Sequence, residues 1–244
     1  MHPIAFSIGS LDIYWYGILM ASTFLGAYLI VQYFSKLHGL ESKKIEDLFF
    51  LGAFSGLIGS RLGAILPYWR YFLENPLEIF SRGGMASHGA ILAIMVVAVF
   101  FVRKHKLNYW QLADLAAPVL PVGHILIRLG NFLSGELYGP PTNLPWAVKF
   151  PDTSVPVHPS QLYEVLTSVI ILPFAWKWAK DPRYPGYAFL RTLFAHSLVR
   201  FFLDFIRQHS KLYGPFVLTQ IIALGICLIT LPAIIILDRR HKAK

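Results

Sequence analysis

Seven stretches of mostly apolar residues follow one another along the chain, near 13–34, 48–68, 84–102, 110–127, 161–179, 187–205 and 216–237, with short polar segments between them. A helix of about 20 apolar residues crosses the ~30 Å hydrocarbon layer of a bilayer. The pattern therefore predicts an all-α, polytopic integral membrane protein with seven transmembrane helices, forming a single transmembrane domain over 1–244. The fourth stretch is interrupted by Asp114, Pro118, Pro121 and His124, which predicts a broken helix lining a cavity. The connection from 128 to 160 carries Pro140, Pro141, Pro145, Pro151, Pro156 and Pro159 together with Trp146 and Phe150. It is too long for a simple turn, and this composition predicts an ordered, stiff arm between spans four and five.

Composition agrees with the pattern: 55% hydrophobic and 14% charged residues with a mean hydropathy of +0.53 leave too few polar side chains to cover a water-soluble core. The net charge of +9 is topological. Lys36, Lys43, Lys44, Arg103, Lys104, Lys106, Lys177, Lys180, Arg183, Arg239, Arg240, Lys242 and Lys244 fall in alternate connections and chain ends. Only Arg70, Arg82, Arg128, Lys149, Arg207 and Lys211 fall in the others. By the positive-inside rule this predicts the N-terminus outside, the C-terminus inside and the 128–160 segment outside. Basic loops facing anionic lipid account for the charge, and no ladder of alternating aromatic and basic residues suits a nucleic acid. The first stretch has no basic residues before it and no small-residue cleavage site after it, so it is expected to remain in the mature protein. The single Cys227 excludes an intrachain disulfide and reads as a packing residue.

Charge inside the apolar stretches carries the chemistry, since a guanidinium near hydrocarbon costs at least ~2.5 kcal/mol and persists where it is paired or faces a wet cavity. His196, Arg200, Asp204 and Arg207 are spaced by four, four and three residues and so share one helix face. Two arginines and one acid leave a cation over, with Arg61 and Arg128 adding to it. An anionic ligand is expected, and phosphate matches the arginine fork. Gly52, Gly56, Gly59 and Gly63 around Arg61 predict close helix packing. His88 opens the third span beside Gly89, where a missing side chain would let a ligand approach the backbone. Pro159 and Ser160 open the fifth span, and Gln161, Tyr163 and Glu164 follow at once.

In order along the chain, Tyr16, Gly56-Leu-Ile-Gly59-Ser-Arg61-Leu-Gly63, Gly84-Met85-Ala-Ser-His88-Gly89, Arg128-Leu-Gly-Asn131-Phe-Leu-Ser-Gly135-Glu136-Leu-Tyr-Gly139, His158-Pro-Ser-Gln161-Leu-Tyr163-Glu164 and Arg200-Phe-Phe-Leu-Asp204-Phe-Ile-Arg207 resemble the motifs of the bacterial phosphatidylglycerol:prolipoprotein diacylglyceryl transferases. The resemblance runs from Tyr16 to about Gln220. It implies an enzyme of the bacterial cytoplasmic membrane, multi-pass, with its site toward the periplasm. That enzyme transfers the diacylglyceryl group of phosphatidylglycerol to the lipobox cysteine thiol of a prolipoprotein, forming a thioether and releasing glycerol 1-phosphate, the first step of lipoprotein maturation. No metal and no cofactor is implied, and no histidine or cysteine cluster has ligand spacing.

Such a reaction needs thiol activation and stabilisation of a leaving phosphate. The expected catalytic residues are His88 as base, Arg128 and Arg200 on the phosphate, Asn131 orienting it, and Glu136 fixing the arginine or the glycerol hydroxyls. Tyr16, Arg61 and Gly89 are expected to line the lipid-head cavity. Gln161, Tyr163 and Glu164 would support it from behind, and Asp204 would position Arg200 beside Arg207. The chain departs from the family at His196, where tyrosine is usual, so His88 and His196 both stand as proton acceptors. It departs again at Ala90, Thr219 and Asp204. A non-catalytic transporter of an anionic lipid would also gather arginines, but it more often shows internal repeats, which are not seen here. An intramembrane protease would need a nucleophilic serine or paired aspartates, and Asp114 and Asp204 are poorly placed for a dyad.

Overall fold

In the computed structural model, residues 3–80, 86–207 and 214–243 are described. Of the expectations above, those on Arg82, Gly84, Met85, Lys211 and Lys244 lie outside the described residues. The chain opens with a β-hairpin, β1 (Ile4–Ile8) and β2 (Leu11–Tyr14), paired antiparallel with Ser7 opposite Asp12 and Ile8 opposite Leu11. Gly9 takes φ +60° in the two-residue turn, a conformation that favours glycine. The apolar pattern did not announce this hairpin, because its strands run directly into the first helix. Nine helices follow among the described residues: α1 (Trp15–Leu37), α2 (Ser42–Ile65), α3 (Trp69–Glu74), α4 (Ser87–His105), α5 (Tyr109–Ala116), α6 (Val119–Ser134), α7 (Ser160–Lys180), α8 (Tyr187–Leu203) and α9 (Leu218–Lys242).

Six helical segments are long and apolar enough to cross a membrane: Trp15–Leu37, Ser42–Glu74, His88–His105, Tyr109–Ser134, Ser160–Lys180 and Leu218–Lys242. The sixth expected stretch, 187–205, is helical as α8, but its 17 residues rise only ~25 Å and it carries Arg191 and Arg200, so it falls outside that set. The fourth stretch is broken as expected, at Ala117 and Pro118 between α5 and α6. Its end differs from expectation. Helix α6 continues through Arg128 and Asn131 to Ser134 and stops where Gly135 turns left-handed at φ +75°, the usual glycine exit from a helix. The connection therefore begins at Gly135, and Arg128 and Asn131 are helical residues.

The chain divides into two compact units, one of residues 1–34 with 110–244 and one of 35–109. In the larger unit α6 packs on α7, α7 on α8 and α8 on α9. The buried stripe of α7 changes character along its length, polar at Ser160, Gln161, Glu164 and Ser168 and then apolar at Ile171, Ala175 and Ala179. Its N-terminal half thus faces a polar interior. Helix α8 starts on Asp114, whose carboxylate accepts the Gly186 and Phe189 amides at 2.7 and 2.9 Å and so satisfies donors that the first turn of a helix leaves open. Asp114 is buried and is spent on this cap.

The connection between α6 and α7 is ordered. His158 donates to Pro140 O at 3.0 Å and its carbonyl accepts Gly139 N at 2.8 Å, while Val148 and Val157 exchange amide bonds. Phe150, buried, stacks on Tyr138 and meets Phe132 edge-on. At its base, a Cβ on Gly139 would lie 2.6 Å from Ile206 O and 2.8 Å from His158 Cβ, so the backbone of the arm rests directly on the residue before Arg207.

In the smaller unit α2 and α4 pack through their small residues. A Cβ on Gly63 would lie 2.9 Å from Gly89 Cα, one on Gly56 2.9 Å from Ile94 Cδ1, and one on Gly89 would clash with the Gly59 carbonyl. Close packing of the glycines is as expected. Gly89 is a correction, since helix contact fills the approach that a ligand would have used.

Candidate active site

Glu164, on the polar half of α7 and 1% exposed, is met by three guanidiniums. Arg128 Nε from α6 lies 2.8 Å from its Oε2, Arg200 Nη1 from α8 2.9 Å from the same oxygen, and Arg207 Nη1 3.3 Å from Oε1. Arg200 also reaches Asp204 one turn on, Nη2 to Oδ1 at 3.0 Å, as expected for an acid that positions it. The hydroxyl of Thr219, in α9, donates to the other oxygen of Asp204. Arg128 Nη1 is 3.4 Å from Asn131 Oδ1, and Asn131 is buried.

Three guanidiniums face two carboxylates here, so the cluster keeps a positive excess. The imbalance is visible atom by atom. Arg207, with a side chain 9% exposed, has Nε and Nη1 buried without a hydrogen-bond acceptor among the described residues. Its approach to Glu164 is close enough for ion pairing but lacks hydrogen-bond alignment. A buried donor left unmade costs about 1–3 kcal/mol, more when charged, and an anion is what would complete it.

The helix face expected for His196, Arg200, Asp204 and Arg207 holds as far as Arg200. Asp204 to Ile206 form a 3₁₀ turn and Arg207 is extended beyond it. This bend carries Arg207 toward Glu164 instead of leaving it one turn further along the helix. A cavity of about 280 Å³ adjoins the cluster, with His124, Glu164, His196 and Arg200 in its wall and α9 contributing apolar residues such as Ile222 and Ile226. Polar charge thus meets an apolar hollow.

The other expected residues take varied places. Glu136 is exposed, and its main chain is what the site uses: its carbonyl accepts Gln161 Nε2 at 2.6 Å and its amide bonds Asn131 O at 2.9 Å. The acid that fixes the arginines is Glu164, given above only a supporting part. Gln161, fully buried, and Ser160, whose hydroxyl donates to Leu137 O at 2.9 Å, fasten the arm to the start of α7. Tyr163 accepts the Trp146 indole N–H at 2.8 Å and meets His158 Nδ1 at 3.1 Å, fastening it again. The Tyr16 ring lies against Gly130, where a Cβ would come within 2.9 Å of it, two residues from Arg128. His196 packs edge-on against His124, ring centroids 5.4 Å apart, with its Nε2 buried and without a hydrogen-bond partner among the described residues. His88 and Arg61 belong to the smaller unit. There His88 is exposed in the first turn of α4, and Arg61 donates to Glu78 O at 2.6 Å.

Sequence reasoning named His124 only as an interruption of the fourth stretch and overlooked Ser168. His124 Nε2 lies 3.1 Å from Glu164 Oε2, and its Nδ1 lies 2.9 Å from Ser168 Oγ. The spacing that exposes them was present: His124 is four residues before Arg128 and Ser168 four after Glu164, each pair on one helix face.

Comparison with known proteins bears directly on this arrangement. The family model of prolipoprotein diacylglyceryl transferase matches residues 3–236. A phosphatidylglycerol–prolipoprotein diacylglyceryl transferase from Geobacter sulfurreducens is 36% identical over 98% of this chain and 96% of its own length. Proteins of the same name from Bordetella parapertussis and Dechloromonas aromatica are each 36% identical, over 87% and 96% of this chain and 84% and 92% of their own lengths.

Proposed function

The chain belongs to the prolipoprotein diacylglyceryl transferase family, and we propose that the cluster around Glu164 is where it binds and activates its lipid. It is a transferase of multi-pass membrane type that moves the diacylglyceryl group of phosphatidylglycerol to a prolipoprotein, the first step of lipoprotein maturation. The acceptor in this reading is the lipobox cysteine thiol, the product a thioether and the leaving group glycerol 1-phosphate.

One observation carries the assignment: the guanidiniums of Arg128, Arg200 and Arg207 converge on a single carboxylate, and two buried nitrogens of Arg207 have no acceptor among the described residues. A phosphodiester supplies that acceptor. As the glyceryl carbon–oxygen bond breaks, the phosphate gains a second negative charge, and preorganised arginines lower the barrier by stabilising charge as it develops. Asn131 and Asp204 hold Arg128 and Arg200 in place, Gln161 and Tyr163 hold the arm over the start of α7, and the Tyr16 ring closes the Gly130 side. The exposed carboxylate of Glu136 is free to meet the glycerol hydroxyls.

The basic bias of the loops supports an N-terminus outside and a C-terminus inside. With that orientation the end of α6, the arm and the start of α7 lie on the periplasmic side of the bacterial inner membrane, where a translocated lipobox arrives. The test is mass spectrometry of a lipobox peptide incubated with phosphatidylglycerol and the purified protein. The peptide gains one diacylglyceryl group and glycerol phosphate appears, whereas a lipid transporter would leave both substrates unchanged. Arg128→Ala and Arg200→Ala abolish transfer while the protein still inserts and purifies; wild-type turnover by both would refute the assignment.

A further inference from the structure

Along α9, Thr219, Ile222, Ala223 and Ile226 recur at helical spacing and form that helix's side of the cavity beside the arginine cluster. Three of the four are apolar, as expected of a stripe lining an apolar hollow. Thr219 is the exception, although a valine of the same size would complete the stripe. Its hydroxyl has a partner instead of a lining role: it donates its single proton to Asp204 Oδ2.

Asp204 stands where α8 ends and the 3₁₀ turn begins, with its side chain 0% exposed. Its Oδ1 lies 3.0 Å from Arg200 Nη2, while Arg200 Nη1 donates to Glu164 Oε2 at 2.9 Å. The two ends of one guanidinium are thus held by carboxylates from two directions, and these carboxylates are not equivalent. Glu164 also meets Arg128 and Arg207, so its position answers to all three arginines. For Asp204 the last side-chain torsion is broad and two-fold, and a bond to its second oxygen fixes the plane that it presents to Arg200. Thr219 supplies that bond from another helix, and its β-branch limits the rotamers open to the hydroxyl. The next residue, Gln220, is buried in the same turn but is used differently. Its Nε2 donates to Phe201 O at 3.2 Å and its Oε1 accepts the Val217 amide at 3.0 Å, so it fastens α9 to α8 through main-chain groups.

We infer that Thr219 is a positioning residue for the transfer reaction, setting the plane of the Arg200 guanidinium through Asp204 before lipid arrives; the inference rests on reading the Glu164 cluster as the phosphate site. A donor fixed in advance matters most where charge develops. The phosphodiester brings one negative charge, which Arg128 and Arg207 meet together with Arg200 in any nearby pose. The second charge appears only as the carbon–oxygen bond breaks, and a guanidinium out of line at that moment is lost from the transition state. A loosened Arg200 therefore shows in kcat before it shows in lipid affinity.

The experiment measures kcat and KM for lipobox-peptide modification, affinity for phosphatidylglycerol in mixed detergent micelles, and Tm. The proteins are wild type, Thr219→Val, Thr219→Ala, Thr219→Ser, Gln220→Met, Asp204→Asn, Asp204→Asn with Thr219→Val, and Arg200→Ala. Thr219→Val and Thr219→Ala lower kcat about 10-fold or more while KM and lipid affinity stay within a few-fold of wild type, and Thr219→Ser regains most of the rate. Gln220→Met lowers Tm but leaves the kcat of the folded protein unchanged. Added to Asp204→Asn, Thr219→Val costs little more, because residues that act through one contact are not additive. Unchanged kcat in both Thr219→Val and Thr219→Ala, no recovery in Thr219→Ser, an equal kcat loss in Gln220→Met, or losses that multiply in the double variant each overturn the inference. Undiminished lipid binding by Arg200→Ala overturns the phosphate reading and this one with it, whereas normal Arg200 dependence with wild-type kcat in Thr219→Val and Thr219→Ala overturns this one alone.

Discussion

Replacing Glu164 by glutamine keeps the size of the side chain and one acceptor oxygen but removes the charge on which Arg128, Arg200 and Arg207 converge. Glu164 is 1% exposed, so water cannot take over its role. Removing one partner from a buried ion pair destabilises by about 3–5 kcal/mol. The retained acceptor places Glu164→Gln near the lower end, ~3 kcal/mol, which for a chain of this size corresponds to roughly 6–12 °C in Tm. The loss falls on the lipid-free protein. A bound phosphodiester restores negative charge to the same three guanidiniums, so phosphatidylglycerol raises the Tm of Glu164→Gln by more than it raises that of wild type. The assay is thermal unfolding in detergent with added phosphatidylglycerol or, as control, phosphatidylcholine. If Glu164→Gln melts with wild-type Tm, or if the anionic lipid raises both proteins equally, the guanidiniums are not held by this carboxylate and the charge argument fails.

Arg207→Met removes the buried N–H groups that lack acceptors, and its lipid-free Tm stays at or above wild type while stabilisation by phosphatidylglycerol disappears; a Tm drop of several degrees without lipid would show that Arg207 is structurally paired. Asp114→Ala uncovers the Gly186 and Phe189 amides and destabilises by ~2 kcal/mol or more. Hydrogen exchange at the start of α8 checks it, and unchanged protection there would refute the cap. Gly89→Ala pushes a methyl into the Gly59 carbonyl and Gly63, where backbone cannot give way, and overpacking of ~1–3 kcal/mol lowers Tm; an unshifted Tm would mean that α2 and α4 separate freely.

Much of the molecule was legible because a bilayer imposes a coarse rule, and an apolar stretch marks each long helix, with boundaries that differ by up to seven residues, as at the end of α6. What escaped were features set by local chemistry below the resolution of that rule. Arg128 was assigned to a connection because a charge seemed to end the fourth span, yet leucine, phenylalanine and asparagine after it continue the helix until Gly135 stops it. That displacement hid the face shared by His124 and Arg128. Glu136 drew attention because it sits in a dense motif, while Glu164 stood in a span where a lone acid looked secondary. Only tertiary packing, which brings α6, α7 and α8 together at one depth, shows which acid the arginines meet. The hairpin at Ile4–Tyr14 was unreadable for a different reason: its alternation merges with the apolar run that begins α1.

The backbone of the arm at Gly139 leaves no room for even a methyl group before the Ile206 carbonyl. Displacement of that loop therefore cannot be decoupled from the peptide unit that carries the next side chain, Arg207. Tightness of grip on a phospholipid and posture of the polypeptide above it become a single mechanical variable. Substitutions in the arm away from the arginine cluster, at Trp146 or Tyr138 for instance, register as altered lipid affinity.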